Sequence, residues 1–177
     1  RKETSIPCSK SVAQRAILAA AFAKGETTLS NLEPCNDISA ALQVVKNLGV
    51  KEVYRSGTTL VLSSPGARQI ARDLLSCSST LSLNTGESGL LTRLLTPFAA
   101  YCTGYDLGSS ITVTGEGSIL GRDLSDACRA IRSAGGECSS EKEGYLPFTV
   151  SQGIRGREII ISGRESSQTV SGLLMTL

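Results

Sequence analysis

Three short clusters of small polar and cationic residues hold the residue types on which chemistry can be built: Ser9-Lys10-Ser11, Asn84-Thr85-Gly86-Glu87-Ser88-Gly89 and Ser166-Ser167-Gln168. Each follows a short extended stretch (residues 4–7, 80–84 and 158–162), and each opens an apolar helical pattern. A helix start offers unpaired N–H groups and the positive end of the macrodipole, so it favours anions. One serine at such a start is ordinarily only a cap. Three starts in register, with Lys10 and Arg15 added, favour a phosphate or carboxylate site over three unrelated caps. Arg15 lies five residues after Lys10 on a mainly apolar helix. It is either an exposed side chain or a ligand clamp, and its planar fork suits bidentate anions.

Composition narrows the chemistry further. The 177 residues include no histidine, which removes Ser-His-Asp and Cys-His nucleophilic systems and His-ligated zinc or haem. Acid–base work must use Lys, Asp, Glu, Tyr or Cys, or groups from another chain. The six cysteines form no C-x-x-C pair, and their spacings fit neither a zinc site nor a redox motif. Three disulfides are arithmetically open, but a chain of this length with no secretory leader in view reads as cytosolic with reduced thiols. The balance of 18 Lys+Arg against 16 Asp+Glu gives no bulk-charge argument for nucleic acid. The longest uninterrupted apolar run, residues 16–23, is far short of the roughly 20 that a membrane span needs. The chain starts at Arg1 and stops within Gly172-Leu-Leu-Met-Thr-Leu177, a run that reads as mid-helix. That end is either a short terminal helix or the sign of a longer protein.

The elements that must position these clusters come from a repeat. Residues 37–49 lie over residues 123–135 without a gap, both running from Asp to Gly with apolar residues at helical spacing and a cation in the last turn. The aspartates, Asp37 and Asp123, are read as N-caps. Each copy precedes a two-strand pattern: residues 51–55 and 58–63 around Ser56-Gly57, and residues 137–143 and 145–151 around Gly144. The first helix recurs as residues 11–24, 88–102 and 167–177. The expected fold class is therefore α/β, two complete βαβαββ units and the opening of a third. Threefold repetition would bring the three helix starts to one end.

Pro7-Cys8-Ser9-Lys10-Ser11-Val12-Ala13-Gln14-Arg15 resembles the P-G-S-K-S-x-x-x-R segment of the 5-enolpyruvylshikimate-3-phosphate synthase family. The likeness continues through Asn36-Asp37-Ile38, Asn84-Thr85-Gly86 and Gly115-Glu-Gly-Ser-Ile-Leu-Gly-Arg122, and ends with Ser166-Ser167-Gln168 and Leu173-Leu174-Met175. The sister UDP-N-acetylglucosamine enolpyruvyl transferases, with a different opening motif, are the nearest alternative. The resemblance implies two inside-out α/β barrel domains and transfer of the enolpyruvyl group of phosphoenolpyruvate to the 5-hydroxyl of shikimate 3-phosphate, releasing phosphate. It implies that Lys10, Ser11, Arg15, Ser166, Ser167 and Gln168 hold shikimate 3-phosphate. It implies that Lys10, Gly86, Arg122 and Gln168 face phosphoenolpyruvate, with Lys10 and Arg122 as the catalytic cations. It further implies no metal or organic cofactor, no nucleic-acid or membrane partner, and a cytoplasmic enzyme that is monomeric at full length.

The sequence departs from the family pattern at three positions. Cys8 stands for the Gly before S-K-S, and Glu87 and Leu90 stand where the family has Thr and Arg. A carboxylate at an anion site repels the ligand unless a cation neutralises it, so Glu87 is expected to pair with Arg93, six residues on. Residues 1–177 are expected to be an incomplete first domain, with the second domain and its acid–base carboxylates absent. The non-enzyme alternative is a phosphate-ligand-binding domain or a degenerate paralogue without transferase activity.

Overall fold

The Ala-rich run after Ser9 folds as helix α1 (Lys10–Phe22), and the Ser9 hydroxyl caps it by accepting the Val12 N–H. The structure, a computed structural model, describes residues 7–76, 81–106, 108–156, 158–164 and 166–177. Strand β1 (Gly25–Leu29), helix α2 (Asn36–Asn47) and strands β2 (Lys51–Ser56) and β3 (Thr59–Ser64) complete the first unit. Both β1 and β2 run antiparallel to β3, in the order β1-β3-β2. Leu60 and Leu62 of β3 point into the core at alternate positions, while β2 is exposed along its length.

Helix α3 (Ala67–Ser76) follows, outside the repeat read from the sequence. It buries Ile70 and Ala71, and Ala67, Ile70, Ala71, Leu74 and Leu75 recur at helical spacing, so its amphipathic pattern is legible but lies outside that repeat. The second unit comprises β4 (Leu81–Asn84), α4 (Gly89–Thr103), β5 (Ser110–Thr114), a 3-10 turn (Gly117–Gly121), α5 (Ser125–Ser133), β6 (Glu137–Ser139) and β7 (Phe148–Ser151). Its sheet order is β4-β5-β7-β6, with β4 and β5 parallel and the other neighbours antiparallel. Helix α6 (Ser167–Thr176) ends the described elements.

Helices form the centre. Leu91, Leu94, Leu95, Phe98, Ala99 and Ala100 of α4 are all inaccessible, as expected of a helix that is apolar nearly all round. Phe98 stacks on Phe22 of α1 with ring centroids 4.3 Å apart. On another side, Gly172 brings α6 so close that a Cβ there would lie 3.1 Å from the Leu94 Cα. Leu83, Ile111, Val113, Phe148 and Val150 from the second sheet close the core from outside. Each such side chain contributes about 1.5–3 kcal/mol when fully buried.

Four expectations are corrected. Residues 158–162 form no strand, and no described strand pairs with them; residues 4–6 and 80 of the other extended stretches lie outside the described residues. Asp37 and Asp123 are not N-caps: α2 begins earlier, after Cys35, leaving Asp37 in its first turn. Asp123 precedes the N-cap Leu124 and accepts the Ser125 N–H at 2.8 Å, which lowers its pKa. The expected glycines do follow both helices, at φ +88° for Gly49 and +83° for Gly135, where a side chain would be strained. The fourth correction concerns thiols. Cys128 of α5 and Cys138 of β6 form a disulfide, because the turn at Gly135-Gly136 folds β6 back on α5 and leaves the Cα atoms 5.2 Å apart. Cys8, Cys35 and Cys102 are free. Among the described residues, no helix is long and apolar enough to cross a membrane and no three or more Cys, Asp or Glu side chains cluster so as to hold a metal ion.

Candidate functional site

Each of the three polar clusters does open a helix, and each opens it with a serine N-cap. Ser9 caps α1, Ser88 caps α4 by accepting the Leu91 N–H at 3.1 Å, and Ser166 caps α6 by accepting the Gln168 N–H at 3.2 Å. Cross-links tie these starts to one another. The buried Ser88 hydroxyl donates to Gln14 Oε1 at 2.6 Å, joining the start of α4 to α1, and Gln14 Nε2 donates to the Lys10 carbonyl. Asp126, in the first turn of α5, accepts from Arg93 Nε at 2.8 Å and Arg93 Nη2 at 2.9 Å. It also accepts the Thr169 hydroxyl of α6. The first turns of α1, α4, α5 and α6 thus lie at one end of the helical core.

Around that end sit the cations. Lys10 is exposed at the first position of α1 and Ser11 is exposed beside it. Arg15 is half-buried and curls back along its own helix, its Nη1 donating to the Ser11 carbonyl at 3.0 Å. Arg122 follows the 3-10 turn and is exposed; a Cβ at Gly89 would stand 4.0 Å from its Nη1, which puts the guanidinium beside the start of α4. Ser166 and Gln168 are half-buried and Ser167 is exposed. Such a set of N–H groups, hydroxyls and cations is of the chemistry that suits phosphate or carboxylate groups.

Gly86 is placed differently from a free N–H donor. Its amide donates to Asn84 Oδ1 at 2.9 Å and its carbonyl accepts the Glu116 N–H at 2.9 Å. Its φ of +58° and a virtual Cβ 3.0 Å from the Ala40 Cβ leave room for no side chain.

The expected Glu87–Arg93 pair is not formed. Arg93 is held by Asp126 in a largely buried bidentate pair, and Glu87 instead accepts the Ser118 N–H at 2.8 Å. That N–H, with the Ser118 side chain and the Arg122 charge in support, holds the Glu87 carboxyl below its usual range. Burial pushes the Asp126 carboxyl up, but the hydrogen bonds from Arg93 and Thr169 and the Arg93 charge prevail, and its pKa is lowered. Leu90 packs into the core, 7% exposed. Sequence reasoning missed Gln14, Asp126 and Thr169 as organisers of the site. Asp126 stands in the repeated Asp123-Leu-Ser-Asp126 segment, but nothing local names a partner 33 residues away.

Comparison with known proteins agrees with the motifs. The family model for EPSP synthase (3-phosphoshikimate 1-carboxyvinyltransferase) matches residues 1–177. A 3-phosphoshikimate 1-carboxyvinyltransferase from Haemophilus influenzae (strain PittGG) is 36% identical over 176 residues, covering 97% of this chain and 39% of that protein. The one from Yersinia pseudotuberculosis serotype O:3 (strain YPIII) is 34% identical over 174 residues, covering 97% of this chain and 38% of that protein. The chain therefore spans well under half the length of these curated relatives. In fold it matches the EPSP synthase of Acinetobacter baumannii with a TM-score of 0.77 at 22% identity, over 98% of this chain and 37% of that one. With a family model matched from end to end, relatives a third identical along the same residues and a shared α/β fold, the chain belongs to the EPSP synthase family.

Proposed function

We propose that this chain forms the shikimate 3-phosphate-binding part of an enolpyruvyl transferase. That enzyme moves the enolpyruvyl group of phosphoenolpyruvate to the 5-hydroxyl of shikimate 3-phosphate and releases phosphate, a step of aromatic amino acid biosynthesis. The observation that carries the reading is the gathering of three serine-capped helix starts at one end, with Lys10, Arg15 and Arg122 around them, in a chain of this family. Both substrates are polyanions, and preorganised cations and N–H donors are what such a transfer demands.

In this reading Lys10, Ser11, Arg15, Ser166, Ser167 and Gln168 hold shikimate 3-phosphate. Lys10, Arg122 and Gln168 face phosphoenolpyruvate, and Gly86 shapes the turn beside it. Residues 1–177 belong to the first domain, while the acid–base carboxylates lie in the part of the relatives' length that this chain does not span. The 177-residue chain alone then releases no phosphate from the two substrates. The family context also favours a cytoplasmic monomer with no cofactor.

Titration of shikimate 3-phosphate into the full-length protein tests the cradle. Ser167→Ala is expected to weaken binding by about 1.5–3 kcal/mol, the range for a hydrogen bond to a charged group, and Arg15→Ala by more. If both variants bind like the parent, the convergent-helix reading is wrong. Glu87 and Leu90, which replace a Thr and an Arg of the family pattern, favour one second reading: a paralogue that binds the phosphate ligand without transferring. Tight shikimate 3-phosphate binding with no phosphate release on adding phosphoenolpyruvate would select it.

A further inference from the structure

Glu87 is the residue that the anion-site reading accommodates worst, and its surroundings give it a definite task. Two segments meet here, the turn at residues 84–87 and the loop at residues 115–122, and they are joined at every level. The Glu116 N–H donates to the Gly86 carbonyl at 2.9 Å, and Asn84 Nδ2 donates to Glu116 Oε1 at 2.5 Å. A Cβ on Gly115 would stand 2.9 Å from the Gly86 carbonyl oxygen, so the two backbones are in direct contact. Glu87 completes the junction. Its carboxylate accepts the Ser118 N–H at 2.8 Å, at the N-terminal end of the 3-10 turn. Gly117, at φ +55°, leaves the gap the carboxylate fills, since a Cβ there would lie 2.6 Å from Glu87 Cδ. The same turn ends at Arg122, with the Arg122 N–H bonded to the Ile119 carbonyl at 3.0 Å.

We propose that Glu87 is a positioning residue: by bonding the Ser118 amide it fixes the 3-10 turn and so aims Arg122 at the phosphoenolpyruvate position beside the start of α4. The carboxylate spends its charge on a backbone donor and on the neighbouring guanidinium, and a Thr in its place would be too short to span to the loop. This rests on Arg122 contacting phosphoenolpyruvate, and the test separates the two claims.

The experiment is a double-mutant cycle in the full-length protein, reading KM for phosphoenolpyruvate at saturating shikimate 3-phosphate, with KM for shikimate 3-phosphate measured alongside. Glu87→Ala is expected to raise the phosphoenolpyruvate KM about 5–10-fold, leaving the other KM unmoved, because one solvent-exposed hydrogen bond that holds the turn is lost. Glu87→Gln, whose amide oxygen still accepts from Ser118, restores most of that loss. In an Arg122→Ala background Glu87→Ala adds nothing, since two residues acting through one contact are not additive. Hydrogen exchange of the Ser118 amide accelerates in Glu87→Ala and stays protected in Glu87→Gln. Unchanged phosphoenolpyruvate KM in Glu87→Ala, with Arg122→Ala impaired, overturns the positioning role alone. Unchanged KM in Arg122→Ala overturns the reading of Arg122 and the proposal with it. Tighter phosphoenolpyruvate binding in both Glu87 variants shows simple repulsion and overturns the proposal as well.

Discussion

Asp126→Ala is expected to lower the stability of the fold by about 2–3 kcal/mol, somewhat under the usual cost of breaking a buried ion pair because the site is not fully closed. The side chains of Arg93 and Asp126 are only 18% and 12% exposed, and the carboxylate takes two hydrogen bonds from the guanidinium and one from Thr169. Removing it strands a guanidinium in the core of the helix assembly and unties α6 from α4. Urea unfolding measures the loss, and an effect under half a kilocalorie, the level of an exposed pair, would show that Asp126 ties nothing together. The pH dependence has a definite sign. The Asp126 carboxyl titrates lower in the folded state than in the unfolded chain, so its contribution is complete above the unfolded value of about 3.9. It is lost as pH falls through the folded value. Parent and Asp126→Asn should therefore differ in stability at neutral pH and converge in acid.

Gly172→Ala is the second large effect. In an exposed helix the change would gain about 1 kcal/mol. Here the added methyl meets the Arg93 carbonyl oxygen and lies 3.1 Å from both the Leu94 Cα and the Pro97 Cγ. Two of those three atoms are backbone and cannot turn aside, so α6 itself must shift. Overpacking of that kind costs about 1–3 kcal/mol and occasionally more; with two backbone atoms in the way the cost lies at the upper end, which leaves a net loss of up to about 2 kcal/mol after the helix gain. The shift also carries Ser166, Ser167 and Gln168 away from α1, so shikimate 3-phosphate affinity should fall along with the melting temperature. Unaltered stability and affinity would mean that the two helices are not in the contact described.

What could be read from the sequence followed the range of each interaction. Helix starts and stops depend on residues within one turn, so the serine caps of α1, α4 and α6 and the glycines after α2 and α5 were legible from order alone. The β2–β3 hairpin was legible too, because its turn and alternation are local. Partner choice across elements was not. Arg93 stands six residues from Glu87 yet pairs with Asp126, since its position on α4 turns it toward α5 and α6. Residues 158–162 carry a β-type composition and still form no strand, because a strand exists only when a neighbour supplies its hydrogen bonds. The Cys128–Cys138 bond likewise depends on how tightly Gly135-Gly136 folds back, which spacing alone does not reveal. For the candidate site, residue types carry the expectation of an anion, while the hydrogen-bond frame beneath them emerged only from the fold.

Helices whose starts gather at one end have a consequence beyond binding. Their macrodipoles then point the same way, and side-by-side parallel dipoles repel. The apolar contacts of α4, among them Phe98 on Phe22, hold the helices together against that repulsion. The shared positive end is therefore a region of electrostatic frustration, where packing and charge disagree. An anion at the shared positive end relieves the disagreement for every helix at once. Occupancy and folding are then linked through the field of the helices as well as through contacts, so a dianion should make the packing of the three helices more cooperative than the core alone does.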